Sequence, residues 1–318
     1  QGERVGPQLP LPLILGLPQS CLRNQPSFPP PPPRGPPHTR RLCDPVVKAV
    51  ADLIRQADGL LIGAGAGMGV DSGLPDFRGK EGFWKAYPAF ANMGVDFVEM
   101  ANPAVFKRDP NLAWGFYGHR LRLYRETKPH PGFEILRSWG ESMSHGAFVF
   151  TSNIDGHFQR AGFSEERVAE CHGSINFLQC TQPCSDDIWR ADDISVDVDM
   201  TRVRAVGDLP RCPHCGALAR PNVLMFGDWH WLSDRSGEQE YRLASWLNEP
   251  RMRSLVIVEC GAGKAVPTVR VTSESIVSTQ NATLVRINPR DFDVPSGQYG
   301  FATGALDLLT RLDEFVSG

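Results

Sequence analysis

Four of the eight cysteines in the chain lie in two close pairs, a pattern typical of metal ligands. The pairs are Cys180 with Cys184 and Cys212 with Cys215. Thiolate sulfurs bind Zn²⁺ in tetrahedral geometry, and four of them leave no position open for catalysis. The sequence therefore predicts a structural zinc site, with His214 as a non-ligand. The alternative is four ordinary buried thiols, since the first pair has C-x3-C rather than the commoner C-x2-C spacing.

A glycine-rich segment, Gly63–Gly69, directly follows the short apolar run Leu60–Ile62. A strand followed by such a turn is typical of a nucleotide-binding unit, because backbone N–H groups there can approach a phosphate. No strict G-x-G-x-x-G register fits, so the glycines alone are also consistent with a simple turn. The segment continues to Arg78, and an arginine beside backbone donors suits a pyrophosphate.

Polar residues follow the apolar run Phe148–Phe150, which is predicted to be a strand. Asn153 and Asp155 lie there, where an open parallel sheet holds its ligand, although a turn rich in Asn and Asp is the alternative. Further along, His172 has the side chain whose pKa lies nearest neutrality, which suits a general base. A lone histidine is more often structural, so its role depends on the motifs around it.

The spacing of apolar residues predicts an α/β fold built on a Rossmann-like, doubly wound parallel sheet. Pro45–Gln56 has the periodicity of an amphipathic helix. Short β-rich runs recur at intervals of helix length, at Leu60–Ile62, Phe148–Phe150, Val223–Phe226, Leu255–Val258 and Leu284–Ile287. Two segments interrupt this pattern: an aromatic-rich helical one at about 79–128 and the cysteine-bearing one at about 179–220. They are predicted to form a smaller zinc-ribbon and helical module inserted into one domain, 44–318.

The composition of the chain limits the kinds of partner that it can bind and the cellular compartments that suit it. The 318 residues are 41% hydrophobic with a net charge of −3, so the chain can bury a core and has no basic field for direct binding of nucleic acid. Residues 1–43 are rich in proline, which predicts a disordered arm and no membrane span. Their arginines resemble those of an organelle transit peptide, but the proline run favours polyproline II. We expect an intracellular, reducing compartment, cytoplasmic or mitochondrial; the oligomeric state is not predicted.

Several motifs, taken in order, resemble those of the sirtuins, the NAD-dependent protein deacylases. Gly65–Arg78 resembles the family's NAD-binding opening, and Thr151–Asp155 its Thr-Gln-Asn-Ile-Asp motif, with Ser152 in place of glutamine. Glu170–Ser174 matches the segment that carries the catalytic histidine. Arg220–Asp228 is similar to the stretch whose strand pairs with the substrate peptide, a sequence-tolerant form of recognition.

The resemblance implies two cofactors, NAD and Zn²⁺, and transfer of an acyl group from lysine to ADP-ribose with release of nicotinamide. It implies His172, Asn153 and Asp155 as catalytic residues and the following as cofactor-binding: Gly65, Ala66, Gly67, Asp76, Phe77, Arg78, Ser152, Asn153, Ile154, Asp155, Gly261, Ala262, Gly263, Asn288 and Ala302. Gly261–Gly263 depart from the family's Gly-Thr-Ser, so the hydroxyls that contact NAD are missing. Val223, Phe226 and Gly227 are implied to bind acyl-lysine protein substrates.

Tyr117 and Arg120 lie where the desuccinylase-like branch of the sirtuins has a tyrosine and an arginine that bind an acidic acyl group. A guanidinium binds a carboxylate through two parallel hydrogen bonds, and residues three apart share a helix face. The alternative is a surface arginine beside a packed tyrosine. For the whole chain, the alternatives are an NAD hydrolase or mono-ADP-ribosyltransferase on the same scaffold, and a non-catalytic NAD-binding regulator.

Overall fold

A computed structural model describes residues 44–75 and 79–318 of the chain. The predicted arm, 1–43, lies outside these residues, as do the predicted cofactor contacts Asp76, Phe77 and Arg78. Within the described ranges, no helix is both long and apolar enough to cross a bilayer.

A six-stranded sheet forms the centre of the fold, and all its strand pairs are parallel. Its strands are β1 (Gly59–Ala64), β2 (Ala147–Thr151), β3 (Val168–Glu170), β9 (Leu255–Cys260), β10 (Ala282–Ile287) and β11 (Tyr299–Phe301). Their order across the sheet is β11-β10-β9-β1-β2-β3. The chain therefore winds outward in one direction from β1 and in the other from β9, and the predicted doubly wound topology is confirmed. A crevice opens at such a reversal, beyond the carboxyl ends of the two central strands.

Helices cover both faces of this sheet. One face packs against α1 (Asp44–Gln56), α7 (Pro131–Ser142) and α11 (Ala305–Val316), and the other against α9 (Asp234–Leu247) and α10 (Thr268–Thr279). Because successive side chains of a strand point to opposite faces, Leu60 and Ile62 enter the first core and Leu61 the second. Both faces are apolar, which explains why the strands read as continuous hydrophobic runs.

The aromatic-rich segment is helical, as predicted. It comprises α2 (Gly79–Ala86), α3 (Pro88–Met93), α4 (Phe97–Met100), α5 (Ala104–Arg108) and α6 (Pro110–Glu126). Its buried aromatic residues form a third apolar cluster that also takes in Ile175 and Leu178. The hairpin of β6 (Asp197–Asp199) and β7 (Arg204–Val206) packs along α6. The boundaries of the inserted module stay a prediction.

The prediction of a parallel strand at Val223–Phe226 is wrong. The strand there is β8 (Ala219–Val223), and it lies in a three-stranded antiparallel sheet with β4 (Gly173–Cys180) and β5 (Trp189–Arg190). Beyond it the backbone N–H of Leu224 donates to the carbonyl of His172 and that of Phe226 to Ala101, so the chain leaves the ladder. A short apolar run predicts a strand but does not show whether that strand is parallel or antiparallel to its neighbours. The direction is set by the strand with which it pairs. Within residues 44–75 and 79–318, the remaining elements are a short helix, α8 (His157–Arg160), and two 3₁₀ turns, Ala66–Ser72 and Glu165–Arg167.

Gly115 lets α6 approach the β6–β7 hairpin closely: a Cβ there would lie 2.1 Å from the carbonyl oxygen of Val203. We expect Gly115→Ala to lower the free energy of unfolding by about 1–3 kcal/mol, because the backbone opposite cannot rotate away. The same substitution at Gly237, on the exposed side of α9 with no atom within 4 Å, should be neutral or stabilising. Urea unfolding midpoints of the two variants check this, and equal midpoints would contradict it.

Candidate functional site

Two glycine-containing loops meet at the carboxyl ends of the adjacent strands β1 and β9. The N–H of Gly65 donates to the carbonyl of Cys260 (3.0 Å) and that of Gly67 to Gly261 (3.1 Å). A Cβ on Gly261, whose φ is +66°, would lie 2.3 Å from the Gly67 backbone, so only glycine permits this approach. The loops thus form one rigid floor to the crevice, with Gly65 buried and Ala66 exposed.

The segment after β2 is bonded to the same floor. The side-chain amide of Asn153 donates to the carbonyl of Gly65 (3.0 Å), and the Thr151 hydroxyl donates to that of Ala64 (3.0 Å). Ser152 and Asn153 are half-buried, whereas Ile154 is buried. Asp155 is also buried, and one of its carboxylate oxygens accepts the backbone N–H of His157 at 2.9 Å. The structure therefore brings these predicted residues together with the glycine loop.

His172 lies two residues beyond the end of β3, the strand beside β2 in the sheet, and directly before β4. Its half-buried imidazole has a lowered pKa because its surroundings desolvate the ring, an effect that the Ser152 backbone partly opposes. The ring is therefore neutral at pH 7, the state a general base needs. Gly173 has a φ of +73°, and a Cβ there would lie 2.1 Å from the Asn222 carbonyl. Glycine at this position lets β4 start against β8 directly after the histidine.

Asn288 is fully buried at the end of β10, where it connects two loops of the site. Its side-chain amide donates to the carbonyl of Ala262 (2.8 Å), and its side-chain oxygen accepts the N–H groups of Arg290 and Asp291 (both 3.0 Å). Both ends of the Asn288 side-chain amide are therefore bonded to loop backbone, which fixes the conformation of the two loops. Gly263 is half-buried beside these contacts, and Ala302 is exposed after β11.

Tyr117 and Arg120 lie inside the aromatic cluster, not on the surface, so the surface alternative is wrong. Both are buried, and the guanidinium lies 5.1 to 5.8 Å from the ring centroids of Phe97, Phe116, Tyr117 and Tyr124. Its Nε and Nη2 donate to the hydroxyl of Tyr124, at 2.9 and 2.7 Å. Burial raises the pKa of Tyr117 to about 12, so this phenol stays protonated. Among the described residues, no group hydrogen-bonds to the Tyr117 hydroxyl.

The loop after β8 is fixed by a buried ion pair. Arg220 and Asp228 make two hydrogen bonds, at 2.6 and 3.0 Å, and both side chains are at most 1% exposed. Between them, Val223 is buried, Phe226 is partly exposed and Gly227 has a φ of +68°. The Phe226 ring lies 6.2 Å from that of Phe97, which connects this loop to the cluster around Arg120.

The four paired cysteines converge on one point. Their sulfurs all lie within 4.8 Å of one another, with 3.8 Å between Cys180 and Cys215 and 3.6 Å between Cys184 and Cys212. Tetrahedral zinc with bonds of about 2.3 Å separates its sulfurs by about 3.8 Å, so the cluster fits this ion. The imidazole of His214 lies 2.8 Å from the Asp187 carboxylate, which agrees with its predicted role as a non-ligand.

Comparison with known proteins agrees with this geometry. The family model described as "Sir2 family" matches residues 65–237. The NAD-dependent protein deacylase of Aeropyrum pernix is 32% identical over 252 residues, 79% of this chain and 87% of that protein. The chain belongs to the Sir2 family. The predicted sirtuin resemblance is therefore confirmed at the level of the family.

Other relatives match a shorter part of the chain. The NAD-dependent protein deacylase of Pyrococcus furiosus is 35% identical over 179 residues, which span 56% of this chain and 65% of that protein. Among solved structures, an ADP-ribose complex of a mutant Sir2 homologue has a TM-score of 0.64 at 24% identity, covering 85% of this chain and 96% of that one. A Sir2 homologue–NAD complex has a TM-score of 0.63 at 23% identity, covering 85% and 93%. These structures support the fold.

Three residues near the site of this Sir2-family chain were not predicted from the sequence. Tyr124 accepts hydrogen bonds from Arg120. Because it follows Arg120 by four residues on the same helix face, the spacing alone could have predicted this contact. His130 contacts the carbonyl of Met68 (3.0 Å) and its backbone N–H donates to the Ser72 hydroxyl (3.0 Å), which fixes the 3₁₀ turn after the glycine loop. Thr268 contacts His172. His130 and Thr268 are far from their partners in sequence, so no local pattern could reveal them.

The cysteine cluster predicts one zinc ion per chain, measured by mass spectrometry of the purified protein. Cys184→Ser should lower the zinc content and the unfolding temperature, because thiolate is the ligand that the site requires. Cys260→Ala, in the buried end of β9, is the matched control: it should leave the zinc content at one whatever it does to stability. Full zinc content in Cys184→Ser would overturn the assignment.

Proposed function

We propose that this protein is an NAD-dependent protein-lysine deacylase, which transfers the acyl group to ADP-ribose and releases nicotinamide. The observation that carries the proposal is the hydrogen bond of 3.0 Å between the Leu224 N–H and the His172 carbonyl. This bond holds the candidate base beside the loop that would pair with an extended substrate peptide. The relatives in Aeropyrum pernix and Pyrococcus furiosus, both named NAD-dependent protein deacylase, support it.

The crevice suits a dinucleotide. It lies where the strand order reverses, and its floor is the close contact of the Gly65–Gly67 and Gly261–Ala262 backbones, which leaves the space above them to a ligand. Ser152 and Asn153, both half-buried beside it, would supply polar groups to this space. We assign the cofactor-binding role to these residues together with Gly263 and Ala302. Ile154, Asp155 and Asn288 are buried, so they would serve the cofactor by shaping the loops around it. NAD, when bound, supplies the bond to nicotinamide that breaks and the ribose carbon that receives the acyl oxygen.

The protein's own groups would orient the reactants and move one proton. Asn153 and Asp155 lie after β2, where they can hold the nicotinamide end, and Asn153 is fixed by its bond to Gly65. His172, neutral because its surroundings desolvate it, takes the proton of a ribose hydroxyl. Val223, Phe226 and Gly227, held by the Arg220–Asp228 pair, would bind the peptide backbone and exclude water from the acyl-lysine.

Nicotinamide release tests the proposal. With NAD and an acyl-lysine peptide the wild-type protein should release nicotinamide, and His172→Ala should slow deacylation by about 10²- to 10⁴-fold because the base is lost. A base acts when neutral, and desolvation lowers the pKa of His172, so the acidic limb of the rate profile should lie below about pH 6.5. His145→Ala is the matched control and should keep full activity, because His145 precedes β2 and so lies at the amino ends of the strands, away from the crevice.

Two other outcomes are informative. Equal rates of nicotinamide release with and without the peptide would contradict deacylation and indicate an NAD hydrolase on the same scaffold. NAD binding without turnover would indicate a non-catalytic regulator.

We propose further that the acyl pocket prefers acidic groups such as succinyl. The unpartnered hydroxyl of Tyr117 supports this, because a buried hydrogen-bond donor without an acceptor costs free energy that a ligand carboxylate recovers. The guanidinium of Arg120 lies in the same cluster, about 5.8 Å from the Tyr117 ring centroid. A carboxylate there would accept a bond from the phenol and a charge-assisted bond from the guanidinium.

Arg120→Met should lower kcat/KM for a succinyl-lysine peptide about 10- to 100-fold and leave or raise that for the acetyl-lysine peptide, since the charged partner is lost. Arg122→Met, two residues on and exposed, is the control and should change neither value. Parallel kinetics with the two peptides measure this. Equal losses for both peptides in Arg120→Met would mean that the arginine is structural only.

A further inference from the structure

The backbone donors at the floor of the crevice are largely used within the protein. Four N–H groups of the two loops already donate to backbone carbonyls, those of Gly65, Gly67, Met68 and Gly261. The residues that follow, at 262 and 263, are Ala and Gly, which have no hydroxyl to offer. A pyrophosphate above this floor would bring negative charge, which proteins meet with N–H groups or cations. Side chains are therefore left to meet most of that charge.

Lys264 directly follows this floor and carries an exposed ammonium group. In the segments 65–75 and 261–267, both within the described residues, it is the one Lys or Arg side chain. Its backbone N–H donates to the Asp291 carboxylate at 3.2 Å, which fixes the base of the side chain. Its Nζ lies 2.8 Å from the carboxylate of Asp293, and the two side chains are 58% and 62% exposed. An ion pair this exposed contributes little to stability, so the ammonium can leave it at small cost.

Asp293 keeps a second cation when Lys264 leaves it. Nη2 of the buried Arg270 donates to the Asp293 carboxylate at 3.1 Å and to the Asp293 carbonyl at 3.2 Å. Arg270 is thus committed to the loop after β10, whereas the Lys264 side chain is held there by one exposed contact. The side chain of Asn288 bonds this loop to the carbonyl of Ala262, so the loops after β9 and β10 lie against each other beside the crevice.

We propose that Lys264 is a cofactor-binding residue whose ammonium moves from Asp293 to the pyrophosphate when NAD binds. The inference rests on the proposed function. A lysine suits this task, because its ammonium has three donors on a flexible stem and can follow a phosphate oxygen. It would supply the polar contact that Ala262 and Gly263 cannot make. No covalent bond changes: Lys264 stays protonated and exchanges one anionic partner for another.

Calorimetric titration with ADP-ribose, which keeps the pyrophosphate and has no nicotinamide to release, measures the contact without turnover. We expect Kd to rise about 5- to 20-fold in Lys264→Gln at low salt, because a charge-assisted bond is lost, and to stay near the wild-type value in Lys264→Arg. Added salt should narrow the difference between wild type and Lys264→Gln. Arg253→Gln removes the same charge from an exposed position before β9, at the opposite edge of the sheet, and should leave Kd unchanged. An unchanged Kd in Lys264→Gln overturns the proposal.

Asp293→Asn tests the exchange of partners. It keeps a side-chain oxygen for Arg270 but releases the ammonium of Lys264, so Kd for ADP-ribose should fall about 2- to 5-fold. In the Lys264→Gln background the same substitution should lose most of this effect, because no ammonium remains to be released. An equal gain in both backgrounds would mean that Asp293 acts on the ligand through its own charge, which overturns the exchange.

The deacylation assay separates this inference from the proposed function. If the wild-type protein deacylates no peptide but Lys264→Gln raises Kd for ADP-ribose, the contact stands and the proposed function is refuted. If the wild-type protein deacylates and Lys264→Gln leaves Kd unchanged, the contact alone is refuted. A wild-type protein that binds no ADP-ribose refutes both.

Discussion

The whole site depends on the contact between two backbones at the point where the sheet changes direction. Strands β1 and β9 are adjacent and parallel, and the loops that follow them touch through Gly65, Gly67 and Gly261 with no side chain between them. Gly65 and Gly261 make this possible, since a Cβ at Gly65 would lie 2.7 Å from the Cα of Ala262 and a Cβ at Gly261 would lie 2.3 Å from the Gly67 backbone. The same contact fixes the carbonyl of Gly65, to which Asn153 is bonded, and so sets where the segment after β2 lies.

A second constraint connects the base to the substrate loop. His172 comes just before β4, and β4 pairs with β8 from Gly173 to Cys180. The register of that pair begins at Gly173 opposite Val223 and ends at Cys180 opposite Ala219. The cysteine cluster therefore closes one end of the same two strands whose other end presents the base and the substrate loop. A zinc ion there would stabilise the register and act on the chemistry only through it.

The sequence predicted the fold well where the signal was local. Strands buried on both faces, a helix with strong periodicity and paired cysteines each depend on neighbours in the chain, and the structure confirms the parallel sheet and the convergence of the cysteines. The run at Val223–Phe226 was assigned to the wrong sheet because its direction depends on β4, some fifty residues away. The contact between Thr268 and His172 was unpredictable for the same reason, since it joins α10 to the end of β3.

The aromatic cluster shows why residue type and spacing could identify Arg120 but not its surroundings. Spacing placed Arg120 on the face of Tyr117, yet two hydrogen bonds of its guanidinium go to Tyr124, one turn further along the helix. Burial raises the pKa of Tyr124, as it does that of Tyr117, so both phenols stay neutral beside the guanidinium. The hydroxyl of Tyr124 accepts hydrogen bonds from Nε and Nη2 and so fixes the plane of the guanidinium. The hydroxyl of Tyr117 is protonated and can donate a hydrogen bond to a ligand. A substrate carboxylate would meet a cation already oriented by a neutral group, and little conformational entropy would remain to be lost on binding.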